Sequence, residues 1–222
     1  MKKIRVWDLP IRMFHWMLVV LIATSIITQE IGGNAMDWHF RAGYAVLALI
    51  AFRLIWGLIG TRYARFSDFI HGPSTIIAYL RGSGAGSTEK YHGHNPLGSL
   101  SVFALLGVIL IHVLSGLFAN DDIASEGPLV KFISKDLSDS FTWFHTEVSA
   151  WVIYFLIGLH LLSIAYYYVG KKKNLVTPMI TGDKQIDGDA PAANDSWGMR
   201  LAAACILAVC AAGVYLLINA TP

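Results

Sequence analysis

VSAWVIYFLIGLHLLSIAYYYVG, residues 148–170, runs for twenty-three positions without a formal charge and carries one histidine, His160. About 20 apolar residues in an α-helix cross a bilayer core, so this stretch reads as a membrane span. Outward from it, residues 96–119 and 13–29 are also uncharged, residues 42–60 are interrupted only by Arg53, and residues 201–219 close the chain with another apolar run. Each is too long for a barrel strand and lacks strand alternation. Five transmembrane helices are therefore expected.

Composition agrees. Of 222 residues, 55% are hydrophobic and 14% charged, with a mean hydropathy of +0.53. An average soluble domain is roughly 25% charged. A disordered chain is excluded, and an ordinary soluble globule does not fit. A net charge of +2 is too small for phosphate-backbone binding, so nucleic acid is not an expected partner. The only cysteines, Cys205 and Cys210, lie in the last apolar run, and the chain has no C-x-x-C-H for covalent haem.

Lys2, Lys3 and Arg5 before the first run resemble a signal peptide, but Thr28-Gln29-Glu30 offers no small-residue cleavage site. With the amino terminus inside, thirteen of the seventeen Lys and Arg fall on the inner side, three (Arg41, Lys131, Lys135) on the outer, and Arg53 within a helix. That asymmetry predicts a cytoplasmic amino terminus and a bacterial inner-membrane location. Trp16, Trp38, Trp56, Trp143 and Trp197 fall near helix ends, as an interfacial belt. The inner connection holds a Gly/Ser-rich piece, residues 82–87, that reads as flexible, and residues 181–196 read as a tether. The outer connection, residues 120–138, is acidic: a solubilising face or a docking face. The expected divisions are residues 1–170, 171–198 as a flexible cytoplasmic linker, and 199–222 as the last helix.

Ionisable side chains in a membrane suggest function. His15 begins an outward-running helix and so lies near the inner side; His39 begins an inward-running one at the outer side. His145 and His160 are fifteen residues apart on the fourth helix, about 22 Å at ~1.5 Å per residue and about 60° apart around the axis. Depth pairs His15 with His160 and His39 with His145. Two such imidazole pairs are what two axially bis-histidine b-type haems require, stacked as an electron path across the bilayer. A single histidine at a helix end is more often merely interfacial, and only the joint pattern carries the reading. A zinc site would want short spacings such as H-x-x-x-H, which are absent. Proton relay stays open but lacks acidic partners within the helices. His112, toward the outer half of helix three, is taken as a non-ligand, with substitution for His39 or His145, or contact to a propionate or quinone, as alternatives. His71, His92 and His94 are expected at the solvent. Haem propionates need cations, for which Arg53, at the depth of the inner haem, is the first candidate; Arg12 and Arg41 are weaker ones. Snorkelling to the surface is the plain alternative for Arg53.

Residues 6–16 (VWDLPIRMFHW), His39-Phe40-Arg41-Ala42-Gly43-Tyr44, Phe52-Arg53-Leu54-Ile55-Trp56-Gly57, Ala64-Arg65-Phe66 and Gly93-His94-Asn95-Pro96-Leu97-Gly98 resemble the bacterial cytochrome b561 and nickel-iron hydrogenase cytochrome b family. The likeness covers about residues 5–170. It implies an all-α membrane protein, a four-helix di-haem bundle to which this chain adds a fifth C-terminal helix. It also implies ligation by His15, His39, His145 and His160, and electron exchange with quinone. The leading expectation is a respiratory-chain electron-transfer subunit between the quinone pool and an outer redox partner, a hydrogenase or a c-type cytochrome. Bis-histidine iron has no open position, which disfavours oxygen activation. Two alternatives are a superoxide:ubiquinone oxidoreductase, disfavoured by outer loops with eight acids against three bases, and a haem-free anchor or transporter.

Overall fold

The computed structural model describes residues 2–81, 91–123, 125–186 and 188–220. The Gly/Ser-rich piece at 82–87 and Lys90 lie outside them. The elements are β1 (Lys2–Arg5), α1 (Leu9–Ile31), α2 (Met36–Ile59), α3 (Pro73–Leu80), α4 (Pro96–Gly116), α5 (Lys135–Trp143), a π-helical turn (Phe144–Ser149), α6 (Ala150–Val169), α7 (Val176–Thr181), β2 (Asp183–Ile186) and α8 (Trp197–Ile218). Five helical stretches among the described residues are long and apolar enough to cross a membrane: Leu9–Ile31, Gly33–Ile59, Pro96–Gly116, Lys135–Val169 and Trp197–Ile218. The expected all-α membrane architecture is therefore present. Apolar side chains such as Leu162, Val209 and Leu216 stand about 70% exposed on these helices, as hydrocarbon-facing positions do. α2 is the most enclosed span, with 56% of its apolar window buried against 11–22% for the others. His39 and Arg53 both ride on it.

The fourth span departs from the expected register. It starts at Lys135 rather than near Val148, and Phe144–Ser149 form a π turn. The uniform 100° steps assumed between His145 and His160 do not hold, because a π turn takes up an extra residue.

Contacts divide the chain into two compact units, and each of the five spans contributes residues to both. The first unit comprises residues 1–13, 53–104 and 158–204. Its organising group is Asp8, 1% exposed. One carboxylate oxygen accepts from the Ile11 N–H at 2.7 Å, capping α1; the other accepts from Trp56 Nε1 at 3.1 Å and Thr61 Oγ1 at 2.5 Å. The start of α1 is thereby tied to the end of α2.

The segment expected as a tether is built into this unit. β2 pairs antiparallel with β1, Arg5 opposite Asp183, and Arg5 Nε donates to Asp183 at 2.6 Å. Asp195 accepts from Arg5 Nη1 (2.5 Å), the Leu9 N–H (3.1 Å) and Arg200 (3.0 Å). Tyr63 donates its hydroxyl to the Pro191 carbonyl at 2.8 Å. Gly182, at φ +88°, ends α7; its carbonyl accepts from both Val6 and Trp7, and a Cβ there would stand 2.6 Å from the Trp7 oxygen. Only glycine meets both conditions. Composition reads as a loop here because Arg5, Val6, Trp7, Leu9 and Tyr63, which hold the segment, are distant in the chain.

His94 is not at the solvent. Its ring lies between Trp7 (centroids 4.7 Å) and Phe69 (4.6 Å), and Nδ1 is buried without a hydrogen-bond partner. His71 sets its ring edge-on to Tyr91 at 5.2 Å with Nε2 buried, and His92 is half-buried. Burial, with smaller contributions from the nearby cations Arg53 and Lys184, lowers the His94 imidazole from its ordinary 6.5 to about 3. The unfolded chain then binds a proton that the folded one refuses between those values. Stability is thus full above pH 6.5 and falls as pH drops toward 3. The melting temperature of detergent-purified protein should drop from pH 7.5 to pH 5, and less steeply in His94→Phe. Equal drops in both proteins would refute this role for His94.

Candidate functional site

The second unit, residues 14–52, 105–157 and 205–222, gathers His15, His39, His112 and His145. His39 stands in the first turns of α2, where its Nδ1 lies 2.9 Å from the carbonyl oxygen of Ser25 on α1. His145 stands in the π turn with Nδ1 2.9 Å from the carbonyl oxygen of His112 on α4, and 3.2 Å from Ser115 Oγ. A carbonyl only accepts. Both imidazoles must therefore carry their proton on Nδ1, which leaves the Nε2 lone pair of each for a metal. This is the tautomer that ligating histidines adopt when a carbonyl holds the other nitrogen.

The rings of His39 and His145 have centroids 6.3 Å apart and planes at 85°. Two metal–imidazole bonds of about 2 Å plus two ring radii of about 1 Å span about 6 Å. The 6.3 Å between the two centroids is of that size. A Cβ on Gly116 would stand 2.8 Å from His145 Cε1, so glycine at that position makes room for the imidazole. His112 stacks on His145, centroids 3.8 Å apart and planes 12° apart, and its Nδ1 is 2.7 Å from Ser149 Oγ. Among the described residues no group of three or more His, Cys, Asp or Glu converges to hold a metal ion.

The remaining expected site residues are distributed as follows. His15, on α1, belongs to the second unit with its ring edge-on to Trp16 at 5.1 Å; His160, on α6, belongs to the first. Arg53, in the first unit, is 3% exposed and lies 4.6 Å over the Phe66 ring, with Nη1 buried and without a hydrogen-bond partner. Snorkelling does not describe it. An orphaned buried guanidinium N–H is a demand for an anion. Arg12 is already engaged: Nη1 donates to the Ile180 carbonyl at 2.7 Å and Nη2 lies 3.9 Å from Asp195. Arg41 is exposed and stacks on Trp38 at 5.1 Å. The sequence reading missed Ser25, Ser115, Gly116 and Ser149, the groups that orient the imidazoles. Two small residues together at 115–116 and a serine one turn after His145 were the available signals.

The profile described as prokaryotic cytochrome b561 matches residues 6–182. Among curated proteins, the chain is 23% identical over 221 residues to a probable Ni/Fe-hydrogenase B-type cytochrome subunit of Azotobacter chroococcum mcd 1, covering 84% of this chain and 90% of that one. It is 24% identical over 224 residues to the protein so described from Azotobacter vinelandii, with the same coverage. It is 22% identical over 215 residues to that of Bradyrhizobium diazoefficiens, covering 81% and 85%. No solved structure matches the chain.

Proposed function

Because the chain belongs to the prokaryotic cytochrome b561 family, we propose that this b-type electron-transfer protein of the membrane carries electrons between the quinone pool and a redox protein at the opposite face, a hydrogenase in the first place. The observation that carries the reading is the His39–His145 pair, with both Nδ1 atoms held by carbonyls and 6.3 Å between ring centroids. These two residues hold one haem b; His15 and His160 hold the second. Haem supplies reversible one-electron chemistry when bound.

The chain supplies the rest. The Ser25 and His112 carbonyls fix the tautomers of His39 and His145, and α2, the most enclosed span, carries both His39 and Arg53. Arg53 receives a propionate on its unpartnered Nη1; Arg12, whose Nε is likewise buried without a hydrogen-bond partner, can assist, and Arg41 assists only by leaving its stack on Trp38. The excess of thirteen cations to three sets the amino terminus in the cytoplasm of a bacterial inner membrane. Support for a hydrogenase partner comes from the relatives, which are described as hydrogenase cytochrome subunits.

The test uses the purified chain in lipid nanodiscs. A pyridine haemochrome assay should give two haems b per chain, and a short-chain quinol should reduce them anaerobically. Absence of haem sinks the cytochrome reading; haem that exchanges no electrons with quinol or quinone sinks the quinone link.

A further inference from the structure

The ligand geometry contains a feature that binding iron does not by itself require: the crossed planes of His39 and His145, 85° apart. A histidine ring turns about a broad, roughly two-fold torsion, so something must hold the plane of His145. We propose that His112 is a positioning residue whose ring fixes that plane and so keeps the two axial imidazoles of one iron crossed. This rests on the reading of His39 and His145 as a ligand pair.

Three contacts carry it. The His112 ring covers a face of His145 at 3.8 Å and 12°. Rotation of His145 toward the plane of His39 would drive its edge into that ring. The His112 carbonyl accepts from His145 Nδ1 at 2.9 Å, so one residue sets both the axis and the plane. His112 is itself pinned. The Ser149 hydroxyl donates to the carbonyl of Phe144 (3.1 Å) or His145 (3.2 Å) and therefore accepts from His112 Nδ1 at 2.7 Å. The Phe144 carbonyl is five residues back, the reach of the π turn. The π turn thus brings Ser149 and His145 onto the same histidine from one side.

Crossed and parallel axial imidazoles split the d orbitals of low-spin ferric iron differently. Crossed planes leave two orbitals nearly degenerate and give a highly anisotropic, single-feature electron paramagnetic resonance signal; parallel planes give a rhombic three-line one. Wild-type protein should show the crossed-type signal for the haem that is lost in His145→Ala. His112→Leu, which removes the ring face and leaves the carbonyl, should convert that signal to the rhombic type with both haems still bound. His112→Phe, which keeps a ring face, should retain the crossed type. Ser149→Ala should add a rhombic component.

An unchanged signal in His112→Leu overturns the proposal, as does conversion in His112→Phe to the same extent as in His112→Leu. If His112→Leu no longer binds two haems, Ser149→Ala decides, and its unchanged signal overturns the proposal. Retention of both haems by His145→Ala would instead show that the ligation reading had failed.

Discussion

With His145 as a haem ligand, as proposed, its replacement by alanine should halve the haem content, from two haems b per chain to one. The haem that remains should still be reducible. The expectation follows from the bond inventory of the second unit. His145 has one free nitrogen, because the His112 carbonyl occupies the other. His39 faces it at 6.3 Å, so no other side chain is needed to complete an axial pair. Without His145 that haem would keep only one of its two proposed ligands, and b-type haem has no covalent link to the chain. His39→Ala should give the same loss, whereas His112→Leu should leave the content at two. The measurement is the haemochrome-to-protein ratio after purification in mild detergent. A full complement in His145→Ala would remove it from the ligand set.

Asp8→Ala should destabilise the first unit by about 3–5 kcal/mol, since it leaves buried donors unmatched and removes a helix cap. Asp8 accepts from a backbone N–H of α1, the Trp56 indole and the Thr61 hydroxyl at once. Trp56 is 1% exposed and Thr61 4%, so neither donor finds water in compensation. Burial raises the Asp8 carboxyl above its ordinary range, opposed by those same donors. The melting temperature in detergent should fall by about 10 °C, with a smaller fall in Asp8→Asn, which keeps one acceptor oxygen. A change within the error of wild type would show that the carboxylate is not the tie between α1 and α2.

Much of this was legible from one dimension. Five spans are present and most of their ends lie within a few residues of expectation, the starts of the second and fourth excepted, because a long apolar run admits few other structures in lipid. Depth along the helices sorted the histidines, and His39 and His145 do meet. What escaped depended on side chains far apart in sequence. Residues 181–196 read as loose because Asp183 and Asp195 look like solvated charges until Arg5 is set beside them. His94 read as exposed because nothing in its neighbourhood of the chain announces Trp7 or Phe69. The π turn at His145 leaves no compositional mark at all, and it alters the angular arithmetic on which the sequence reading relied.

The ribbon of β1 and β2 also sets a schedule for biogenesis. Arg5 leaves the ribosome 178 positions ahead of Asp183, a lag of roughly ten to forty seconds at about 5–20 residues per second. Throughout that interval the leading strand has no edge to join, while the first four hydrophobic stretches are already entering the bilayer. Closure of the ribbon therefore comes as a late checkpoint, shortly before the fifth stretch emerges. An insertion within Asp183–Ile186 should leave the leading strand unlatched in an otherwise inserted protein.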